Sequence, residues 1–168
     1  MTEIRGKARF VRGQISTDDI IPARYKHMYT DPADMAPHVF ENRFPELASS
    51  FEEGDVLIGT DVFGIGSSRE QAVSSLMALG IRAIVSPRFG RIFFRNCWNL
   101  GIPAIEVDTS RFIEGRPVRL DLTGGYAIID ENQGISFPPP PQRMIRILEN
   151  GGLLNTVLNE AAHSRNGI

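Results

Sequence analysis

The residue types best suited to chemistry in this chain are gathered in Gly64-Ile65-Gly66-Ser67-Ser68-Arg69-Glu70, with a second group at Thr17-Asp18-Asp19. Two glycines allow a tight turn and a close approach of backbone to a ligand. Two hydroxyls and a planar guanidinium, beside the free N–H groups at the start of a helix, make an anion site suited to carboxylate or phosphate. Arg69 stands where a dinucleotide fingerprint has its third glycine, and no Gly-Lys-Ser/Thr ending follows, so a phosphate cradle loses ground. The plain structural alternative is a glycine turn with Ser67 or Ser68 as helix N-cap and a surface arginine. Thr17 and Asp18 likewise fit an Asx-type turn that caps backbone N–H groups. The functional reading instead makes Asp18 the orienter of a catalytic group or of a partner's charged residue.

These residues need elements to hold them. Asp55-Val56-Leu57-Ile58 reads as a short buried strand before the glycines, and Ala72, Val73, Leu76, Met77 and Leu79 recur at helical spacing after them, with Gly80 as the stop. Ile81 to Val85 predicts the next strand, Arg88 to Leu100 a helix with Ile92, Phe93, Cys97 and Leu100 on its apolar face, and Ile102 to Val107 a strand at an edge or end because of Pro103. This alternation argues for right-handed βαβ crossovers. Arg91, Arg95 and Asn96 face either a ligand or solvent on that helix.

Upstream, Arg5 to Arg12 predicts a first strand with Ala8, Phe10 and Val11 inward. Arg24 to Pro32 is polar and aromatic without period, hence a recognition-type loop, and Asp34 to Phe40 and Phe44 to Phe51 predict two short helices. Downstream, Val118 to Leu122 and Tyr126 to Asp130 flank Gly124-Gly125 as a hairpin. Pro138 to Pro141 make a rigid connection to a helix over Gln142 to Asn150, and Leu153 to Leu158 is apolar enough to dock. The organisation predicted is one domain over residues 1–160 with a frayed tail over 161–168, and no internal repeat.

Composition limits the partners. A hydrophobic share of 42% and a charged share of 23% are those of an ordinary soluble domain, and a net charge of −2 gives no general electrostatic case for nucleic acid or an anionic membrane. The single cysteine, Cys97, forms no internal disulfide and cannot hold a zinc ion or an iron–sulfur cluster unaided. His27, His38 and His163 lack metal-ligand spacing. The N-terminus has no apolar signal-like core and no run approaches transmembrane length, so the cytoplasm is the expected compartment.

Taken in order, Thr17-Asp18-Asp19-Ile20-Ile21-Pro22, Phe63 to Glu70, Arg91-Ile92-Phe93-Phe94-Arg95-Asn96 and Gly101-Ile102-Pro103 resemble the small subunit of 3-isopropylmalate dehydratase. That family is similar to the swivelling C-terminal domain of aconitases. The resemblance implies an α/β fold, a single swivelling β/β/α domain with a mixed sheet, closing over a large subunit. That subunit would hold the [4Fe–4S] cluster, and none would be bound by this chain alone. It also implies a hydro-lyase that moves a hydroxyl between neighbouring carbons of a small di- or tricarboxylate by dehydration and rehydration, as in leucine biosynthesis. Carried over by position, Ser67 is the base, Ser68 and Arg69 bind substrate carboxylate, and Asp18 orients the active site. The segment Tyr25 to Asp31 reads the substrate's variable group, with Met28 suited to an isopropyl group and Lys26 and His27 to an extra carboxylate. The chain departs from the usual pattern at Ile65, where Cys or Glu is frequent, at Gln71 in place of His, and at Gly90 in place of Ala. Two other readings remain open: a homoaconitase or other substituted-malate dehydratase small subunit, and a non-catalytic carboxylate-binding module.

Overall fold

A computed structural model describes residues 2–130 and 133–165. Val56–Gly59 (β3) and Ala83–Ser86 (β5) are buried at every position, the pattern of parallel strands covered on both faces. They pair in parallel with each other, with Glu3–Val11 (β1) on one side and with Ala104–Glu106 (β7) on the other. Pro117–Asp121 (β8), Tyr126–Asp130 (β9) and Gln133–Ser136 (β10) continue from β1 as an antiparallel extension, giving one mixed sheet in the order β10-β9-β8-β1-β3-β5-β7. The expected hairpin is β8–β9, and β7 is the edge strand that Pro103 foretold.

A second, smaller sheet is made of Ile15–Ser16 (β2), Val62–Ile65 (β4) and Arg88–Phe89 (β6), all parallel in the order β2-β4-β6. The helices are Thr17–Ile20 (α1), Tyr25–Met28 (α2), Pro32–Met35 (α3), Glu70–Ala78 (α4), Arg91–Leu100 (α5), Gln142–Glu149 (α6) and Leu153–Arg165 (α7). Three times, a strand of the large sheet passes to a strand of the small one and then to a helix: β1-β2-α1, β3-β4-α4 and β5-β6-α5. The β/β/α arrangement is therefore literal. Its core centres on Phe63, whose ring lies 5.6 Å from Phe93, 6.3 Å from Phe89 and 6.5 Å from Phe40.

Several sequence expectations change in detail. Val62 to Ile65 is a strand rather than the entry to a glycine turn, because β2 and β6 pair with it on both sides, and Gly64 at φ +79° leaves its missing side chain's place to the Phe93 ring. Arg88 and Phe89 belong to β6, so the following helix starts at Arg91. On that helix Ile92 is 41% exposed, and Trp98 joins Phe93 and Cys97 in the core. Tyr25 to Met28 forms one helical turn where a loop was expected. Phe10 is only partly buried, whereas Ala8 and Val11 are fully so. Leu154, Val157 and Leu158 on α7 are exposed instead of docked on the described chain. Residues 166–168 of the expected tail lie outside the described residues, and α7 runs to Arg165.

Candidate active site

Parallel strands deliver the chain that follows them to one end of a sheet, and ligands commonly bind there. Here β2 and β4 pair with Ser16 opposite Ile65. The residues immediately after that pair, Thr17 on one strand and Gly66-Ser67 on the other, are thus brought together. The first turn of α1 is fixed by a reciprocal cap: Ser16 Oγ accepts from the Asp19 N–H at 3.1 Å, and Asp19 Oδ2 accepts from the Ser16 N–H at 2.8 Å. Ser16 and Asp19, not Thr17 and Asp18, therefore do the capping. This frees the latter two to point elsewhere.

Thr17 is 1% exposed, and its hydroxyl donates to the Ser67 carbonyl at 3.1 Å. Asp18 turns outward but accepts from Arg69 Nη1 at 2.6 Å. Arg69 is 9% exposed, and burying a guanidinium is tolerable only where acceptors meet it. It finds them in Asp18, in the Ile21 carbonyl at 2.8 Å, and in Ser67 Oγ, to which Nη2 donates at 3.1 Å. Ser67 and Ser68 themselves are exposed.

Neither serine caps α4. The N-cap position is Arg69, with no side-chain bond. Among the described residues, the backbone N–H groups of Ser67, Ser68 and Arg69 have no acceptor within the chain. An exposed hydroxyl held by a buried cation, next to unpaired amides at a helix start, is an arrangement that favours negative charge on or beside the hydroxyl oxygen. Gly66, at φ +103°, makes the bend between Ile65 and Ser67; a side chain there would also approach Thr17 Oγ1 at 3.3 Å.

The structure brings together Asp18, Ser67 and Arg69, with Ser68 beside them. Lys26, His27 and Met28 are exposed on α2, and none of them hydrogen-bonds or ion-pairs with that group among the described residues. They follow closely, however, since Ile21, which accepts from Arg69, lies just before α2. In the sequence Thr17 stood in the Thr17-Asp18-Asp19 group as a turn-capping residue, with no role toward Ser67. Its 50-residue reach to Ser67 was not readable there. A cavity of about 620 Å³ opens elsewhere, against the outer sheet between Arg5, Arg116, Arg119 and Ile128, and its walls contain no candidate residue.

For an iron–sulfur cluster the chain's own residues do not fit. Cys97 is fully buried, its thiol pushed well up by that burial, and no group of three or more His, Cys, Asp or Glu residues among those described could hold a metal ion. No described helix is long and apolar enough to cross a membrane.

Residues 7–110 match the family model of the aconitase C-terminal domain. The chain is 40% identical to 3-isopropylmalate dehydratase small subunit 1 of Methanopyrus kandleri, with 98% of each chain covered. It is 39% identical to 3-isopropylmalate dehydratase small subunit of Sulfurisphaera tokodaii, again over 98% of each. The crystal structure of a 3-isopropylmalate dehydratase from Methanocaldococcus jannaschii superposes with a TM-score of 0.89 at 34% identity, covering 98% of this chain and 99% of the other. Matches of this identity over nearly the whole length leave one conclusion: the chain belongs to the aconitase C-terminal domain family, among the 3-isopropylmalate dehydratase small subunits.

Proposed function

We propose that this protein is the small subunit of a heteromeric hydro-lyase that interconverts 2- and 3-isopropylmalate, and that its part of the active site is the Asp18–Arg69–Ser67 group. The observation that carries the reading is the exposure of Ser67 above buried supports: Arg69 bonds its hydroxyl and Thr17 its carbonyl, both from buried positions, while Ser67 itself is exposed. Such an arrangement is half of a site. A large subunit supplies the other half, including the [4Fe–4S] cluster, for which the described residues of this chain offer no ligand set.

Within this half, Ser67 Oγ, its own proton first given up to solvent, takes the proton from the carbon next to a substrate carboxylate. The C–H electron pair becomes the second bond to the neighbouring carbon as that carbon releases its hydroxyl, which would take up a proton on the large subunit's side and depart as water, the cluster there supplying Lewis-acid chemistry. A serine oxygen is a poor base in water, so its charged form must be stabilised by donors fixed in advance. Arg69 Nη2 is one such donor. The unpaired N–H groups of Ser67 to Arg69 and the Ser68 hydroxyl receive substrate carboxylate in this reading, whereas Arg69, expected from the resemblance to bind it, directs its guanidinium to Asp18, the Ile21 carbonyl and Ser67. Asp18 holds the guanidinium in the plane that lets it reach Ser67. Lys26, His27 and Met28 meet the variable group of the substrate from α2.

The test is anaerobic co-expression with candidate large subunits, cluster reconstitution, and an assay of double-bond formation from 3-isopropylmalate and from homocitrate. Activity on isopropylmalate that needs both chains supports the proposal, and preference for homocitrate replaces it with the homoaconitase reading. Carboxylate binding by this chain alone, with no pairing, replaces it with the binding-module reading.

A further inference from the structure

We propose that Thr17 is a switchable hydrogen-bond donor to Ser67, directing its O–H to the Ser67 carbonyl at rest and to the Ser67 side-chain oxygen when that oxygen is charged. The inference rests on the reading of Ser67 as the base. A threonine hydroxyl has one hydrogen, and that of Thr17 is directed at the Ser67 carbonyl, 3.1 Å away. Ser67 Oγ lies 3.5 Å from the same Thr17 oxygen. Both acceptors belong to one residue, so turning the Cβ–Oγ bond of Thr17 re-aims the hydrogen from one to the other with no movement of backbone.

Need and opportunity coincide at this point. A charged serine oxygen accepts up to three hydrogen bonds, and among the described residues only Arg69 Nη2 is directed at it in the resting arrangement. Thr17 is buried at 1% exposure, where no water competes for its hydrogen. Its position is set by the Ser16–Asp19 cap on one side and by the Ser16–Ile65 pairing on the other. The hydroxyl keeps its own proton throughout. The proton taken from carbon rests on Ser67 Oγ, and Thr17 then returns its hydrogen bond to the carbonyl.

The experiment compares Thr17→Val, Thr17→Ala and Thr17→Ser with wild type in the assembled two-chain enzyme, with Ser67→Ala alongside. Two hydroxyl-free variants are used so that a folding defect in one leaves the other to decide. Loss of the donor should lower kcat about a hundredfold, the usual scale for one oxyanion donor, with KM within about twofold. The rising limb of kcat against pH should move to higher pH, because the charged oxygen is less stabilised. Thr17→Ser should restore kcat to within about threefold and return the limb to its place. Wild-type kcat in both hydroxyl-free variants overturns the inference, as does equal impairment of all three variants with an unmoved pH profile, which would mark a packing role. Turnover by Ser67→Ala overturns the reading of Ser67 itself, a separate outcome from either.

Discussion

Arg69 Nη1 meets Asp18 Oδ1 at 2.6 Å, although the two residues stand 51 positions apart. The pair is asymmetric, with the guanidinium side chain 10% exposed and the carboxylate 63% exposed. Asp18 therefore keeps most of its hydration while fixing a cation that has lost its own. The same cation reaches Ser67 and the Ile21 carbonyl, so one side chain joins the ends of both short strands β2 and β4.

Arg69→Lys should lower kcat/KM about a hundredfold, although charge is conserved. A single ammonium cannot span an acceptor on α1, a backbone carbonyl and Ser67 Oγ in one plane. Steady-state kinetics of the reconstituted two-chain enzyme measure this. A change of less than about threefold would remove Arg69 from the role assigned to it.

Gly64→Ala should destabilise the chain by about 3 kcal/mol. Gly64 has φ +79°, and a Cβ there would lie 2.2 Å from the Phe93 ring, itself fixed in the central aromatic cluster. Urea denaturation of the isolated or assembled subunit reports the difference. A loss under about 1 kcal/mol would show that the cluster yields more readily than its packing implies.

Glu41 accepts from Tyr25 Oη at 2.5 Å, from His38 Nδ1 at 2.7 Å and from Arg24. Burial pushes its carboxyl up, but the bonds from Tyr25, His38 and Arg24 outweigh that and hold it below the ordinary 4.5. A lowered folded value means that the stabilisation is complete above pH 4.5 and is lost as pH falls through that lower value. Glu41→Gln should accordingly flatten the fall in stability below that pH, seen as a shallower slope in denaturation midpoints measured across the acid range. Parallel slopes for the two proteins would count against it. Tyr25 opens α2 and stacks on His38 at 4.1 Å, so the variant should also loosen the segment carrying Lys26, His27 and Met28.

Cys97 should be unreactive toward thiol reagents in the native protein and should react once in denaturant. Its thiol is fully buried and is pushed well above its ordinary value by desolvation, which suppresses the thiolate that such reagents require. Rapid native labelling would show that α5 opens far more often than its burial suggests.

The long periodic segments were legible without a structure. The strands at Val56–Gly59 and Ala83–Ser86, the helices at Glu70–Ala78 and Gln142–Glu149 and the β8–β9 hairpin follow from apolar period and turn chemistry acting within about ten residues. The strands of the small sheet were not legible. β2, β4 and β6 are too short to show a period, and each exists because a neighbour supplies its hydrogen bonds. The exposure of Leu154, Val157 and Leu158 was hidden for a related reason, since a helix's apolar residues do not say what covers them.

The site divides in the same way. Residue types alone marked Ser67, Ser68 and Arg69 as a group able to handle carboxylate, because hydroxyls, a guanidinium and glycine carry their chemistry locally, and left Asp18 between a turn cap and an orienter. Only the tertiary structure decided that Arg69 turns inward to Asp18 and Ser67, that Ser16 rather than Thr17 caps α1, and that Thr17 lies under Ser67. Those outcomes depend on the register of β2 against β4, a pairing between segments some fifty residues apart in sequence. Register is set by what both strands bury together, and neither segment contains that information by itself.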